Sequence, residues 1–377
     1  MGTPYSWHPG SHPVAPDWGY SPALLPDEAF SSWLLRSAMA HGCDPLAFTG
    51  SLWPRWRILT IDPDRWVDDV HLAPLVKASG ISAVAFQASF LRSAAERIAS
   101  HPLPVKQIWP WMLALGARNR KRTGGLQYCP ACLAEDAKPY FRLQWRFAWH
   151  TGCEHHGCSL LDRCEFCDAP LEPHRLDAQD GSVVVCATCK ADLRRAHAHP
   201  CLPDALSFQR VADHALKVGE GAGLGHVLDT KSWFELADFF ISMVRRANRS
   251  EEHRSLVALI HEVAGTLPHG IPVISGSGIE LLRTHDRQIL LGLVWKFMNI
   301  NEADFLQALL SSGLSRQGLC PKTESAPALI EGLAIHLRDN PVQHGERRLP
   351  AKGAPRPRHQ VIRMMRVLER KLAMKMR

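Results

Sequence analysis

The sequence predicts a mainly α fold in three working parts. An N-terminal helical domain contains a helix-turn-helix, a short cysteine-bearing segment carries small β elements, and a C-terminal helical domain follows. Three observations predict this. Apolar residues recur at helical spacing on both sides of the middle third. Eight of the eleven cysteines lie in that middle third between Cys129 and Cys189, and a ninth is Cys201. The positive charge sits at one end: Pro341 to Arg377 carries eleven Lys or Arg against two acids, a net of +9, which leaves −2 for the rest of a chain whose total is +7. With 377 residues, 46% hydrophobic and 21% charged, the chain is long enough for two or three domains that each bury a core.

Residues 1–25 read as an extended leader rich in Pro, Trp and Ser. They lack the basic stretch and apolar core of a signal peptide, and no apolar run approaches the roughly 18 residues of a membrane span, so a cytoplasmic, membrane-free protein is expected. Residues 26–125 read as the helical domain. A helix starts near Pro26, with Asp27 and Glu28 at the positive end of its dipole. Phe30, Trp33 and Leu34 fall on one face of Asp27–His41, and Gly42 stops it. Leu72–Leu91 reads as two short helices around Ser79–Gly80. This is the helix-turn-helix pattern, and equally that of any αα-hairpin. The lack of Lys or Arg between Gly80 and Leu91 weakens the case for phosphate contact there.

Residues 126–202 form the cysteine segment. Residues 203–343 read as the C-terminal helical domain, with helices at Trp233–Asn248, Glu251–Ala264, Ile289–Met298, Glu302–Leu310 and Ala326–Leu337. Residues 344–377 read as a basic linker and a tail helix, Val361–Met376. Such a block is either a nucleic-acid arm or a solvated tail.

Clustered cysteines in a reducing compartment argue for metal over disulfides, and the odd total argues the same way. Four pairs share a two-residue gap: Cys129 and Cys132, Cys153 and His156, Cys164 and Cys167, Cys186 and Cys189. Each pair is half of a tetrahedral zinc site, and the separations between pairs are those of tandem zinc ribbons. The expected sites are therefore Cys129, Cys132, Cys153 and His156, then Cys164, Cys167, Cys186 and Cys189. An interleaved pairing uses the same residues, and His155 or Cys158 can stand in for His156. Four protein ligands leave no position for water or substrate, so two structural zinc ions are expected.

Two stretches suit nucleic-acid contact. Arg118, Arg120, Lys121 and Arg122 make a short basic run, which an ordinary solvated linker also contains. In Pro139–Trp149 aromatics alternate with Arg142 and Arg146, a mix that can stack bases and neutralise phosphates. The alternative is a helix packing its aromatics inward, with the arginines bonding helix ends or acids.

At these residues the sequence resembles the TniQ/TnsD family of transposon target-selection proteins. The resemblance rests on Leu25-Pro-Asp-Glu-Ala-Phe-Ser-Ser-Trp-Leu-Leu-Arg36, on Tyr128 to Asp136, on Pro139-Tyr140 and Gln144-Trp-Arg146, and on Cys153 to Leu161. Asp162 to Cys167 continues it into the second ribbon. It covers roughly residues 24–200. The resemblance implies a non-catalytic role: finding the insertion site and handing it to an AAA+ ATPase that recruits a transposase. It also implies either direct DNA reading or attachment to a CRISPR RNA-guided effector, where members form head-to-tail homodimers. Cys158 departs from the family's usual pattern.

Other classes fit less well. A zinc-containing transcription regulator would share the helix-turn-helix and the basic tail without needing the ATPase. A zinc-braced His nuclease would use His155–His156, but it needs an open metal and a general base. No Walker loop or Gly-x-Ser-x-Gly elbow is present, and no enzyme is expected.

Overall fold

The computed structural model describes residues 17–104, 107–115, 125–247, 254–265, 278–321 and 326–339, together with Met365. The linker and tail helix expected over 344–377 otherwise lie outside the described residues. The chain is mainly helical, with two small hairpins among the described residues.

The N-terminal elements are α1 (Phe30–Ala40), α2 (Pro45–Leu52), α3 (Asp69–Ser79), α4 (Ala83–Ala88) and α5 (Arg92–Ile98). The first helix begins four residues later than its dipole pattern predicts. Asp27 lies in the left-handed region at φ 54°, and residues 27–29 are drawn out to pair with a later segment. The Leu143 N–H donates to the Asp27 carbonyl at 2.6 Å, and the Ala29 N–H donates to that of Phe141 at 3.0 Å. Tertiary pairing thus overrides the helix-start signal. Helices α3 and α4 form where two short helices are expected. Asp68 caps α3 by accepting from the His71 N–H at 2.9 Å, and Ser82 caps α4 by accepting from that of Ala85 at 3.2 Å. Gly80, at φ 73°, takes the left-handed step between them that a residue with a Cβ adopts only at a cost.

The middle segment contains α6 (Pro130–Glu135) and a hairpin of β1 (Gly152–Cys153) and β2 (Cys158–Ser159), with Cys153 opposite Cys158. Isolated bridges join Tyr128 to Leu161, Arg163 to Pro170 and Val185 to Asp192. Residues 139–149 are not the helix considered above. They hold one 3-10 turn, Leu143–Arg146, in an otherwise extended strip.

The C-terminal elements are α7 (Pro203–Val218), β3 (Glu220–Gly223), β4 (His226–Asp229), α8 (Thr230–Ala247), α9 (Arg254–Ala264), α10 (Thr284–Met298), α11 (Glu302–Ser311), α12 (Arg316–Leu319) and α13 (Ala328–Ala334). Helix α7 starts on Pro203 and ends at Gly219, φ 103°. The β3–β4 hairpin had no signature in the sequence reading. Its turn, Leu224–Gly225, has positive φ at both positions, as a type I′ two-residue loop requires. The strain at Leu224 is offset by full burial and a 2.8 Å hydrogen bond from its N–H to the Met298 carbonyl.

Two apolar clusters organise the described residues. One joins α1 and α3 to the cysteine segment through Trp33, Phe86, Phe141 and Trp145. The other joins α5 and Trp109–Leu113 to the C-terminal helices through Phe147, Trp149, Trp233 and Phe240. The strip 141–149 supplies side chains to both and is their common wall. Among the described residues no helix is long and apolar enough to cross a membrane.

Candidate metal centres

Each cysteine pair is shaped by its own backbone. In three pairs the chain turns back after four residues: the N–H groups of Gly157, Asp168 and Lys190 donate to the carbonyls of Cys153, Cys164 and Cys186 at 2.8, 2.9 and 2.9 Å. All three turning residues have positive φ, 62°, 54° and 62°. The Cys129 pair is different because Pro130 occupies the first helical position, so the chain continues into α6 and the Cys129 sulfur accepts from the Cys132 N–H at 3.4 Å. Tyr128 and Leu161 exchange two 2.9 Å backbone bonds, which bring this pair against the β1–β2 turn.

The pairs assemble sequentially rather than interleaved. Cys129, Cys132, Cys153 and His156 bring one donor atom each within 4.8 Å of one another, as do Cys164, Cys167, Cys186 and Cys189. In the first set His156 Nδ1 stands 3.4 Å from the sulfur of each of the three cysteines, and the Cys132 and Cys153 sulfurs are 3.5 Å apart. In the second set Cys164–Cys189 and Cys167–Cys186 are 3.7 and 3.8 Å apart. A tetrahedral ion with zinc–sulfur bonds of about 2.3 Å sets sulfurs about 3.8 Å apart. The second set has that size, and the first is slightly contracted. Cys158 lies just outside the first set, its sulfur 3.5 Å from that of Cys129.

The thiols themselves favour a cation. Contact with the Cys132 thiol holds the Cys129 thiol far below its ordinary range, while the Cys129 sulfur pushes Cys132 up. In the second set the Ala191 N–H lowers Cys189 to about 7, while burial raises Cys164 to about 12. In the first set contact with the Cys129 sulfur pushes Cys132 towards the thiol, and in the second burial pushes up Cys164 and Cys167 while Cys189 is lowered, so thiolate and thiol stand side by side in each set. A divalent cation removes that mixed state. Both donor sets fit zinc, and each could hold one ion with four protein ligands.

The arginines of the 139–149 strip are placed differently from one another. Arg146 is 1% exposed. Its NH1 donates to Asp62 at 3.0 Å and to Asp64 at 2.5 Å, and its NH2 to Asp62 at 2.7 Å and the Leu113 carbonyl at 2.8 Å. A guanidinium so buried and so engaged cannot reach a phosphate, and the expectation of nucleic-acid contact by Arg146 is corrected accordingly. Arg142 is half-buried, forms two bonds to Asp136 at 3.2 and 2.9 Å, and packs over the Tyr140 and Trp145 rings. Its donors face an acid rather than open solvent. Arg118, Arg120, Lys121 and Arg122 lie outside the described residues.

Sequence reasoning did not find the groups that surround these centres. Arg287, on α10, is fully buried and donates to the carbonyls of Leu282, Ala148 and His150 at 3.2, 2.5 and 3.3 Å, and to Gln127 Oε1 at 2.7 Å. Gln127 in turn donates to the Trp145 and His150 carbonyls at 2.7 and 3.0 Å. The C-terminal helices are thereby bonded to the residues flanking the first cysteine pair. No local pattern marks this role of Arg287, since Gln127, Ala148 and His150 are more than a hundred positions away.

Residues 20–160 match the TniQ family model, which describes transposition-associated proteins. The matched span holds α1 to α6, the Asp62–Asp64–Arg146 cluster and all four donors of the first set. No curated protein shows a match to the chain.

Proposed function

We propose, from the match of residues 20–160 to the TniQ family model, that the chain selects target sites in DNA transposition as a non-catalytic adaptor. In this role it binds target DNA, or a CRISPR RNA-guided effector, and recruits an AAA+ ATPase and through it a transposase. The observation that carries this reading is the family match across residues 20–160. The charged chemistry of that span supports a scaffold role: its four-donor set is closed, and Arg146 is spent on Asp62 and Asp64. Two structural zinc ions, one in each donor set, hold the middle segment as tandem ribbons. Direct reading of DNA falls to α3, Gly80 and α4 as a helix-turn-helix, with phosphate anchored by Arg118, Arg120, Lys121 and Arg122.

The test is to crosslink the protein in its host, recover it and sequence the attached nucleic acid. A recurring short DNA motif supports direct reading. A guide RNA without a shared DNA motif supports the effector-bound adaptor. Recovery of neither, together with no association with a transposition ATPase, overturns the proposal.

A further inference from the structure

The first donor set has a carboxylate standing behind its histidine, whereas the second set has four cysteines and no histidine. His156 turns Nδ1 towards the three sulfurs, so its other ring nitrogen, Nε2, points away from them. That nitrogen is buried and makes no aligned hydrogen bond. The carboxylate beside it is Glu135, the last residue of α6, with Oε1 3.0 Å from Nε2. The other carboxylate oxygen, Oε2, lies 3.6 Å from Nε2 of His155. Glu135 and His155 are both exposed, whereas the His156 side chain is only 14% exposed.

A histidine that binds a cation through Nδ1 carries its proton on Nε2. A buried N–H without an acceptor costs about 1–3 kcal/mol, and a carboxylate within hydrogen-bond reach removes that cost. It also fixes the tautomer, makes the metal-facing nitrogen more basic and restricts rotation of the ring. Helix α6 links the two ends of this arrangement: it begins at the ligand Cys129 and contains the ligand Cys132, and its last residue places a carboxylate behind the fourth ligand. Three of the four pairs turn away after four residues, and only the pair that continues into a helix can do this.

We propose that Glu135 is a positioning residue for the first metal centre, its carboxylate accepting a hydrogen bond from the His156 Nε2–H so that Nδ1 is the ligand. The alternative arrangement, a second cation held by Glu135, His155 and His156, would require His156 to lose that proton and bridge two positive ions. The hydrogen-bonded form avoids this cost. The inference rests on the first donor set holding a metal, and the second set serves as its internal reference.

The experiment is a competition titration of the full-length chain with a chromophoric zinc chelator, comparing wild type with Glu135→Ala and Glu135→Gln. It is paired with nitrogen-15 NMR of the histidine rings. Wild type is expected to bind two zinc ions and to show His156 metallated at Nδ1 and protonated at Nε2. Glu135→Ala is expected to weaken one of the two sites about 10–100-fold and leave the other unchanged. Glu135→Gln, whose amide oxygen still accepts, is expected to recover part of the loss, which a mere surface change at the end of α6 would not produce. Equal affinity in wild type and Glu135→Ala, with both zinc ions bound, overturns the role of Glu135 alone. A third metal equivalent lost with Glu135→Ala or His155→Ala overturns it in favour of a shared cation site. Failure of wild type to bind zinc overturns the metal reading beneath it.

Discussion

Replacing Arg146 with Ala tests how the matched segment is held together. The guanidinium bonds Asp62, Asp64 and the Leu113 carbonyl, and Asp64 is completely buried. Asp64 also accepts from the Ser31 N–H at 2.6 Å and from its hydroxyl at 2.9 Å, which ties the cluster to α1. Without Arg146 a buried carboxylate loses its closest cation, a change that costs about 3–5 kcal/mol. Total domain stability is about 5–15 kcal/mol, so this is a large fraction. Urea denaturation followed by tryptophan fluorescence measures it as a shift in midpoint. The pH dependence carries a second signature. Burial already raises the Asp64 carboxyl and Arg146 opposes that rise, so the variant's Asp64 takes up a proton more readily when folded than when unfolded. The folded variant then binds more protons than the unfolded chain, and its stability falls as pH rises through the folded pKa. The deficit against wild type should therefore shrink on acidification. A loss below about 1 kcal/mol at neutral pH would refute the reasoning, because it lies in the range of exposed ion pairs.

Other outcomes follow from the same structure. Arg287→Met should destabilise the chain by roughly 1–3 kcal/mol for each buried acceptor left without a donor, and hydrogen exchange should report faster opening around Ala148–His150. A chelator strong enough to strip both centres should unfold residues 126–200, since a structural zinc contributes about 10–16 kcal/mol; unchanged circular dichroism after metal removal would contradict this. Deleting residues 345–377 should flatten the salt dependence of duplex binding by about 0.9 in log–log slope for each phosphate the tail neutralises, and an unchanged slope would remove the tail from the interface.

The parts of this protein legible in its sequence are those set by short-range spacing. The donor pairs could be identified because two ligands must leave one tight turn towards one ion, which fixes a two-residue gap. Five C-terminal helices, α8 to α11 and α13, were visible for a similar local reason, since their apolar faces repeat every turn, whereas α7 and α12 were not singled out. What was hidden depends on distant partners. Arg146 sits among aromatics like a nucleic-acid contact, and only the acids 82 and 84 residues away show that it points inward. Asp27 reads as a helix-start acid, yet pairing with Leu143 holds it outside α1. The β3–β4 hairpin escaped because Glu220-Gly-Ala-Gly-Leu-Gly has no alternating apolar pattern, and its fold depends on Leu224 docking beneath α10. Nothing local links Glu135 to the first donor set, because His156, whose ring stands 3.0 Å from its carboxylate, lies 21 positions along the chain.

The most direct test of the central claim, that two closed metal centres hold the middle of this chain, is native mass spectrometry of the purified protein with one ligand of each set replaced in turn. Two zinc ions in wild type, and one in each of Cys129→Ser and Cys164→Ser, are the predicted result. Fewer than two in wild type, or no change on either replacement, would contradict it.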